Sequence, residues 1–547
     1  MERTALHRAL DRWELLVFVA LLLAHLLVVW CMPVFLTQDG PSHLYNARIL
    51  LELWAGDPSG LYSDFFTLNT SFSPNWTGNI ILAGLLKFFT PVVAEKMLVS
   101  IHMIVLPLAF RYAVRSLKPG PPILSSLIFL LTYNFHLVYG FFNFCLGLAV
   151  LFWFIGAYHK FRNGPSVRQG VACAFILLLM LATHPVALLV GFLFTASDAT
   201  VNLIAQWRKA PTDRSAFFKR VAQDAAIVGP ALLLFLLFLP TSTADQPPLF
   251  QNKWSVAALQ ALLHMDHLVL FNGNEVALFR SMALLLAILF VAALWKNRST
   301  GLTSVGAALI LLLTCCVAIY FFVSDQLAGG AYLTSRIALI AWMVFALYIA
   351  TRTVPTRALA VGAGGTVVLS ASLLFMRYPA HKRCGEQAAA YIGSCRSIPD
   401  GSTFLPLCFS DQGEFGNVVL SPRIKLFKHM SGYVAAERRL ISLDNYEANT
   451  AYFQTAWLPS VNPFKQLCAD GDCDIEGEPT SADPVGYETR AQRPIDHVVL
   501  WGDLSRAAQD PRYSAFKQQL DEWGTTTFAE DGPSQMFRII NQRPAGN

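Results

Sequence analysis

Between Leu15 and Met376 the sequence is a succession of apolar runs separated by short polar breaks. Crossing the hydrocarbon core of a bilayer as a helix takes roughly 20 mostly apolar residues. Clear spans are expected at Leu15–Val34, Ile123–Tyr133, Gly140–Ala157, Val171–Thr183, Val186–Val201, Ala225–Leu239, Leu278–Trp295, Val305–Val323, Ala338–Ala350 and Ala358–Met376. Asn79–Thr90 and Met97–Phe110 are shorter runs separated by Pro91. In lipid only helices and closed barrels satisfy every backbone group, and these runs are too long and too continuous for barrel strands. The expected fold class is therefore an α-helical polytopic membrane protein with 11 to 13 spans. The first run has no small-residue cleavage site after it, which argues against a cleavable signal peptide.

Charge divides the chain into two parts. Residues 379–547 hold 21 Asp and Glu against 16 Lys and Arg, whereas residues 1–378 hold 15 against 25. With 14% charged residues overall and a mean hydropathy of +0.45, an ordinary soluble enzyme and a disordered chain are excluded. The basic excess lies in short loops between apolar runs, so it reads as membrane anchoring and not as a nucleic-acid surface. Lys and Arg mark cytoplasmic loops. By that rule Arg3, Arg8 and Arg12 put the N-terminus in the cytoplasm, and the basic clusters from Arg111 to Arg357 put residues 379–547 outside. Between residues 36 and 111 the alternation needs an odd number of crossings, while two apolar runs are visible. Residues 1–378 form the expected transmembrane domain, with long outside loops at 36–77 and 240–277. Residues 379–547 form an expected extracytoplasmic α/β domain, with strands at Thr403–Cys408, His497–Trp501 and Met536–Ile540 and helices at Glu386–Cys395 and Tyr513–Trp523. That domain carries Cys384, Cys395, Cys408, Cys468 and Cys473. The last two flank a turn that a disulfide can close.

The segment directly after the first span, Thr37-Gln38-Asp39-Gly40-Pro41-Ser42-His43-Leu44-Tyr45-Asn46-Ala47, carries the densest polar chemistry. A Gly-Pro break precedes an amphipathic stretch, Ser42–Trp54. Ser42 suits its N-cap, and Leu44, Ile49, Leu50 and Trp54 form one apolar face toward lipid or protein. Asp39 is either a turn cap or a carboxylate at the mouth of a cavity, where it can act as a base. The company of Gln38, His43, Tyr45 and Asn46 favours the second.

An N-terminal span followed at once by an acidic motif and an interfacial helix resembles the GT-C superfamily, polytopic glycosyltransferases that use polyprenyl-phosphate-linked sugars. The nearest resemblance is to protein O-mannosyltransferases and lipid A aminoarabinose transferases. About a dozen spans followed by an extracytoplasmic C-terminal domain match that architecture. Members commonly carry two adjacent acids where this chain has Asp39-Gly40. Many carry a second acidic motif where it has Asn134 and His136. The resemblance implies a sugar donor on polyprenyl phosphate in the bilayer, a glycan, lipid or protein hydroxyl acceptor, and a bacterial inner (cytoplasmic) membrane. It implies inverting transfer with Asp39 as the base. Arg336, at the outer start of a span, would hold the lipid phosphate through its planar fork, with Lys253 as a second cation. His43, Tyr45, Asn134, His136 and His184 would line the substrate site, the histidines falling on the same face as Asp39. The residues open to a divalent metal are Asp39, His43, His264, Asp266 and His267, although their spacing matches no specific ligand motif. There is no Walker A or dinucleotide fingerprint. Two rivals remain: a transporter or flippase of a lipid-linked substrate, and a non-catalytic scaffold of the same fold. No two-fold repeat of broken helices supports the transporter.

Overall fold

The computed structural model describes residues 5–70, 73–209, 214–238, 248–299, 302–327, 330–450, 452–468, 471, 473–475, 477–522, 525–531 and 534–539. Arg3, the loop residues 240–247, Gly329, Asp470, Asp472, Ile540 and the remaining C-terminal residues lie outside these. Among the described residues, nine helices are long and apolar enough to cross a membrane, and the chain is an integral membrane protein. Shorter apolar helices lie at Trp76–Leu85, Ile123–Tyr139 and Val167–Thr183.

Three expected spans come out as these shorter helices, so the nine long helices among the described residues fall below the 11 to 13 spans expected; Val171–Thr183 is the 17-residue helix Val167–Thr183. The Asn79–Thr90 run is the ten-residue helix Trp76–Leu85. At about 1.5 Å per residue it covers about half the hydrocarbon thickness. That leaves one long helix between residues 36 and 111, Pro91–Leu117. The Ile123–Tyr133 run is a 3-10 helix, Ile123–Ile128, continued by a single turn, Phe129–Thr132, with every residue buried. Its apolar character serves protein packing, because a fully enclosed segment is as hydrophobic as one facing lipid.

The chain forms two compact units. The first comprises residues 1–28, 99–137 and 142–377. In it Phe142–Asn163 packs on Val167–Thr183, and Ser304–Phe322 packs on Pro185–Lys209 and Leu333–Thr351. Its interior holds a fully buried ion pair. Arg377 donates from Nε and Nη2 to Glu275 at 3.0 and 2.8 Å, and its guanidinium lies 5.1 Å from the ring centre of Tyr133 and 5.4 Å from that of Phe279. Glu275 also accepts from the amides of Leu270 and Phe271, and Arg377 also donates to the carbonyls of Tyr133 and Leu268. Each charge is thus hydrogen-bonded on several sides, as burial demands.

The second unit comprises residues 29–98, 138–141 and 378–547. The helix Thr356–Ser394 passes residue 378 without a break and absorbs the helix expected at Glu386–Cys395. The sheet runs in the order Ile441–Ser442, Thr403–Cys408, His497–Trp501, Ser534–Ile539, Thr525–Asp531. Its first three strands are parallel and the last two antiparallel. Alternating patterns would not have found its central strand, because all five residues of His497–Trp501 are buried. Strand Phe66–Leu68 pairs with Thr455–Trp457, so the first loop is built into this unit. Cys468 and Cys473 form a disulfide, while Cys384, Cys395 and Cys408 are free thiols.

Candidate functional site

The helix expected from Ser42 begins two residues earlier and spans Gly40–Trp54. Pro41 fits its first turn, where no amide hydrogen is needed. Its apolar face is turned to protein: Leu44, Ile49 and Leu50 are buried, and only Trp54 is exposed, stacked on Trp76. The helix lies so close to Ser431–Arg438 that a Cβ on Gly432 would stand 2.2 Å from the Pro41 carbonyl oxygen.

Asp39 occupies the N-cap position of this helix, yet its side chain makes no capping hydrogen bond. The turn-cap reading is therefore not what the side chain does. Its backbone is fixed instead by a two-residue ladder, Gln38 N–H to the Val138 carbonyl at 3.1 Å and Asp39 N–H to the Tyr139 carbonyl at 3.0 Å. The next residue, Gly140, has φ +98, and a Cβ there would lie 2.8 Å from Gly40 N and 2.9 Å from Asp39 N. Glycine is required both for the conformation and for the approach. On the other side Thr37 donates to Glu95 at 2.6 Å and accepts from Gly40 N–H at 3.1 Å, while Tyr433 donates to the second Glu95 oxygen.

Asp39 is buried, with 7% of the residue exposed. Gln38 donates to its Oδ1 at 3.0 Å, and His429, stacked on Tyr446, places Nε2 3.9 Å from the same oxygen. Burial pushes the Asp39 carboxyl up to about 7; His43, Gln38 and Lys428 pull against this rise and Glu447 adds to it. One turn along, His43 places Nδ1 2.7 Å from Glu447 and Nε2 3.1 Å from the Gly140 carbonyl. Both ring nitrogens thus face acceptors, which only the doubly protonated imidazolium can satisfy. Burial opposes that charge, but Glu447, by charge and hydrogen bond, and then Asp39 overcome it and raise His43 to about 9. Asn46 donates to the second Glu447 oxygen at 2.8 Å and to Asn445 at 3.0 Å. His429 is held well below its ordinary value by burial, then by Lys428 and His43.

Tyr45, expected to line the substrate site, bridges the backbone: its hydroxyl donates to Leu440 O and accepts from Ser442 N–H, both at 3.0 Å. Asn134 likewise serves a local helix break, donating to the Leu131 carbonyl and accepting from Leu137 N–H. Both belong to the fold through these bonds.

The first unit holds the other expected residues. Around the ring of Phe144 stand His136 at 5.1 Å, His184 at 5.3 Å and the Arg336 guanidinium at 5.6 Å. His184 Nδ1 accepts from Val186 N–H at 3.1 Å, where proline at 185 opens the helix ladder. Lys253 donates to Thr334, two residues before Arg336, at 2.6 Å. His267 pairs with the Tyr320 hydroxyl at 2.8 Å, and His264 ends the helix Val256–Leu263. Among the described residues no group of three or more His, Cys, Asp or Glu side chains is placed to hold a metal ion, so Asp39, His43, His264, Asp266 and His267 form no such set.

Glu447, His429, Asn445 and Glu95 were not legible as site residues. Glu447 sits in an unpatterned stretch far from Asp39 in sequence, and only the fold makes it the partner of His43.

No family profile matches the chain, and no curated protein sequence is similar. Solved structures do match. ArnT from Cupriavidus metallidurans in the apo state aligns over 95% of this chain and 98% of its own, at 12% identity and TM-score 0.50. ArnT bound to undecaprenyl phosphate aligns over 96% and 98%, at 11% identity and TM-score 0.49. The archaeal oligosaccharyltransferase AglB from Archaeoglobus fulgidus, in complex with an inhibitory peptide and a dolichol-phosphate, aligns over 97% and 74%, at 12% identity and TM-score 0.40. The likeness to apo ArnT is one of fold: this chain has the GT-C fold.

Proposed function

We propose that this protein is a membrane glycosyltransferase that moves a sugar from a polyprenyl-phosphate-linked donor to an extracytoplasmic hydroxyl acceptor with inversion. The support is the GT-C fold shared with the aminoarabinose transferase ArnT, together with one local observation. Asp39 stands at a helix N-terminus without capping it, buried, and poised near neutrality. A general base works best with a pKa near the working pH.

In this reading the acceptor oxygen attacks the anomeric carbon, its proton passes to Asp39, and the bond from that carbon to the phosphate oxygen breaks. The electron pair leaves on the lipid phosphate. His43 keeps a fixed positive charge beside the base and, with both N–H groups engaged, takes no proton itself. Arg336 is assigned to the lipid phosphate, because a guanidinium offers paired donors to phosphate oxygens. Lys253, bonded near the start of the same helix, is the second cation.

The test is Asp39→Asn in cells that make the protein. Loss of a glycan or glycolipid product at equal protein level is expected. An unchanged glycan and glycolipid profile would remove Asp39 from the mechanism.

A further inference from the structure

Asp39 is held on one oxygen only. Gln38 Nε2 donates to Oδ1 at 3.0 Å, His429 Nε2 stands 3.9 Å from that same oxygen, and among the described residues no hydrogen bond reaches Oδ2. Gln38 cannot turn its amide around. Its Oε1 accepts from the backbone N–H of Lys425 at 3.1 Å, so the carbonyl end must face Lys425 and the NH2 end must face Asp39. Gln38 is 5% exposed, and its own backbone N–H is bonded to Val138. The side chain is therefore fixed at both ends and at its root.

We infer that Gln38 is a positioning residue for Asp39: anchored by the Lys425 amide, it holds Oδ1 and leaves Oδ2 as the atom that accepts the proton. This rests on the proposed transfer reaction for its purpose, but not for its geometry. A carboxylate with both oxygens free rotates about χ2 between equivalent positions. One bonded oxygen removes that freedom and aims the other. The C-terminal part of the chain, through one backbone amide at Lys425, thereby sets the rotamer of a side chain near the N-terminus. The charged and titratable groups facing Asp39 are His43 on its own helix, Lys428 and His429 ahead of the helix Ser431–Arg438, and Glu447. None of them replaces Gln38 within hydrogen-bond distance of Oδ1.

The experiment is infrared spectroscopy of the purified full-length protein with isotope-labelled aspartate. The carboxyl bands of Asp39 are identified as those lost in Asp39→Asn. Gln38→Leu is expected to shift the carboxylate bands, because a hydrogen-bond donor has gone, and Lys425→Pro is expected to reproduce the shift by freeing the Gln38 amide. In cells Gln38→Leu is expected to lower product about tenfold or more at equal protein level, the scale for losing a charge-assisted bond that orients a reacting group. If Gln38→Leu does not fold, Gln38→Met gives the same reading with an unbranched chain. Bands left in place in the Gln38 variants, or moved there but not in Lys425→Pro, overturn the inference. If the bands move but Asp39→Asn cells keep their glycan and glycolipid profile, the positioning stands and the transferase reading falls. If that product is lost and the bands stay, the reverse holds.

Discussion

His43 and Glu447 form a buried ion pair, with Nδ1 2.7 Å from a carboxylate oxygen that is wholly enclosed. The second ring nitrogen is 3.1 Å from the Gly140 carbonyl, so both ring nitrogens face acceptors, the arrangement that favours the imidazolium. The pair lies one helical turn from Asp39 and fixes a positive charge beside it.

Glu447→Ala leaves that charge without its counter-ion, and a loss of about 3–5 kcal/mol is expected. Glu447→Gln is milder. Its amide can donate to Nδ1 of a neutral imidazole while Nε2–H keeps Gly140. His43 is raised to about 9 from an ordinary 6.5, so the pair's stabilisation is full below pH 6.5 and is lost as pH rises through about 9. Thermal unfolding of the detergent-solubilised protein across that window should show the loss in wild type and not in Glu447→Gln.

Asp39 must be ionised to act as a base. With the carboxyl raised from 3.8 to about 7, transfer should rise with pH through about 7 and level off above it. The same rise means that ionising Asp39 costs folding stability at pH above the unfolded value, so Asp39→Asn should unfold at a higher temperature than wild type above pH 7 while losing activity. A variant destabilised at that pH would contradict the burial argument.

Gly432→Ala puts a methyl group 2.2 Å from the Pro41 carbonyl oxygen, where both sides are backbone. Relief requires the helices Gly40–Trp54 and Ser431–Arg438 to separate. Overpacking of this kind costs about 1–3 kcal/mol, to be read from the unfolding midpoint.

Arg377→Ala strands Glu275 in a site that water does not reach, and about 3–5 kcal/mol is expected to be lost. Arg377→Met with Glu275→Gln removes both charges and should lose less than the sum of the single changes. Additive losses in unfolding measurements would show that the pair is not coupled.

Arg336→Ala should lower product in cells, with partial recovery when the pool of lipid-linked donor is raised, the behaviour of a binding residue. Arg336→Lys keeps the charge but not the planar fork and should fall between. Product levels across donor levels decide it, and a loss that no donor level relieves would speak against phosphate binding.

Much of the fold was legible. Runs near Leu15, Val186, Leu278, Val305 and Ala338 are long helices, and Thr403–Cys408 and His497–Trp501 are strands at the expected residues. Ile123–Tyr133 differs because an apolar run reports only that water is excluded, not whether lipid or protein excludes it, and Asn79–Thr90 differs because its helix ends at Leu85. The apolar face of the helix from Gly40 is expected to meet lipid or protein, and the burial of Leu44, Ile49 and Leu50 decides for protein. Tyr45 and Asn134 looked like site residues because a polar side chain in an apolar context has the same sequence signature whether it meets a ligand or a backbone group. Their partners, Ser442 and Leu137, cannot be inferred from spacing.

The sequence by itself determined that this chain lives in a membrane and that its tail is an acidic α/β part. Those conclusions follow from local properties, hydropathy and charge, which need no partner. Only the tertiary structure decided what Asp39 and His43 are chemically. A carboxyl raised to about 7 arises from burial, and an imidazole raised to about 9 arises from Glu447 and Gly140 brought to within bonding distance; electrostatics of that kind exists only between groups the fold has already assembled.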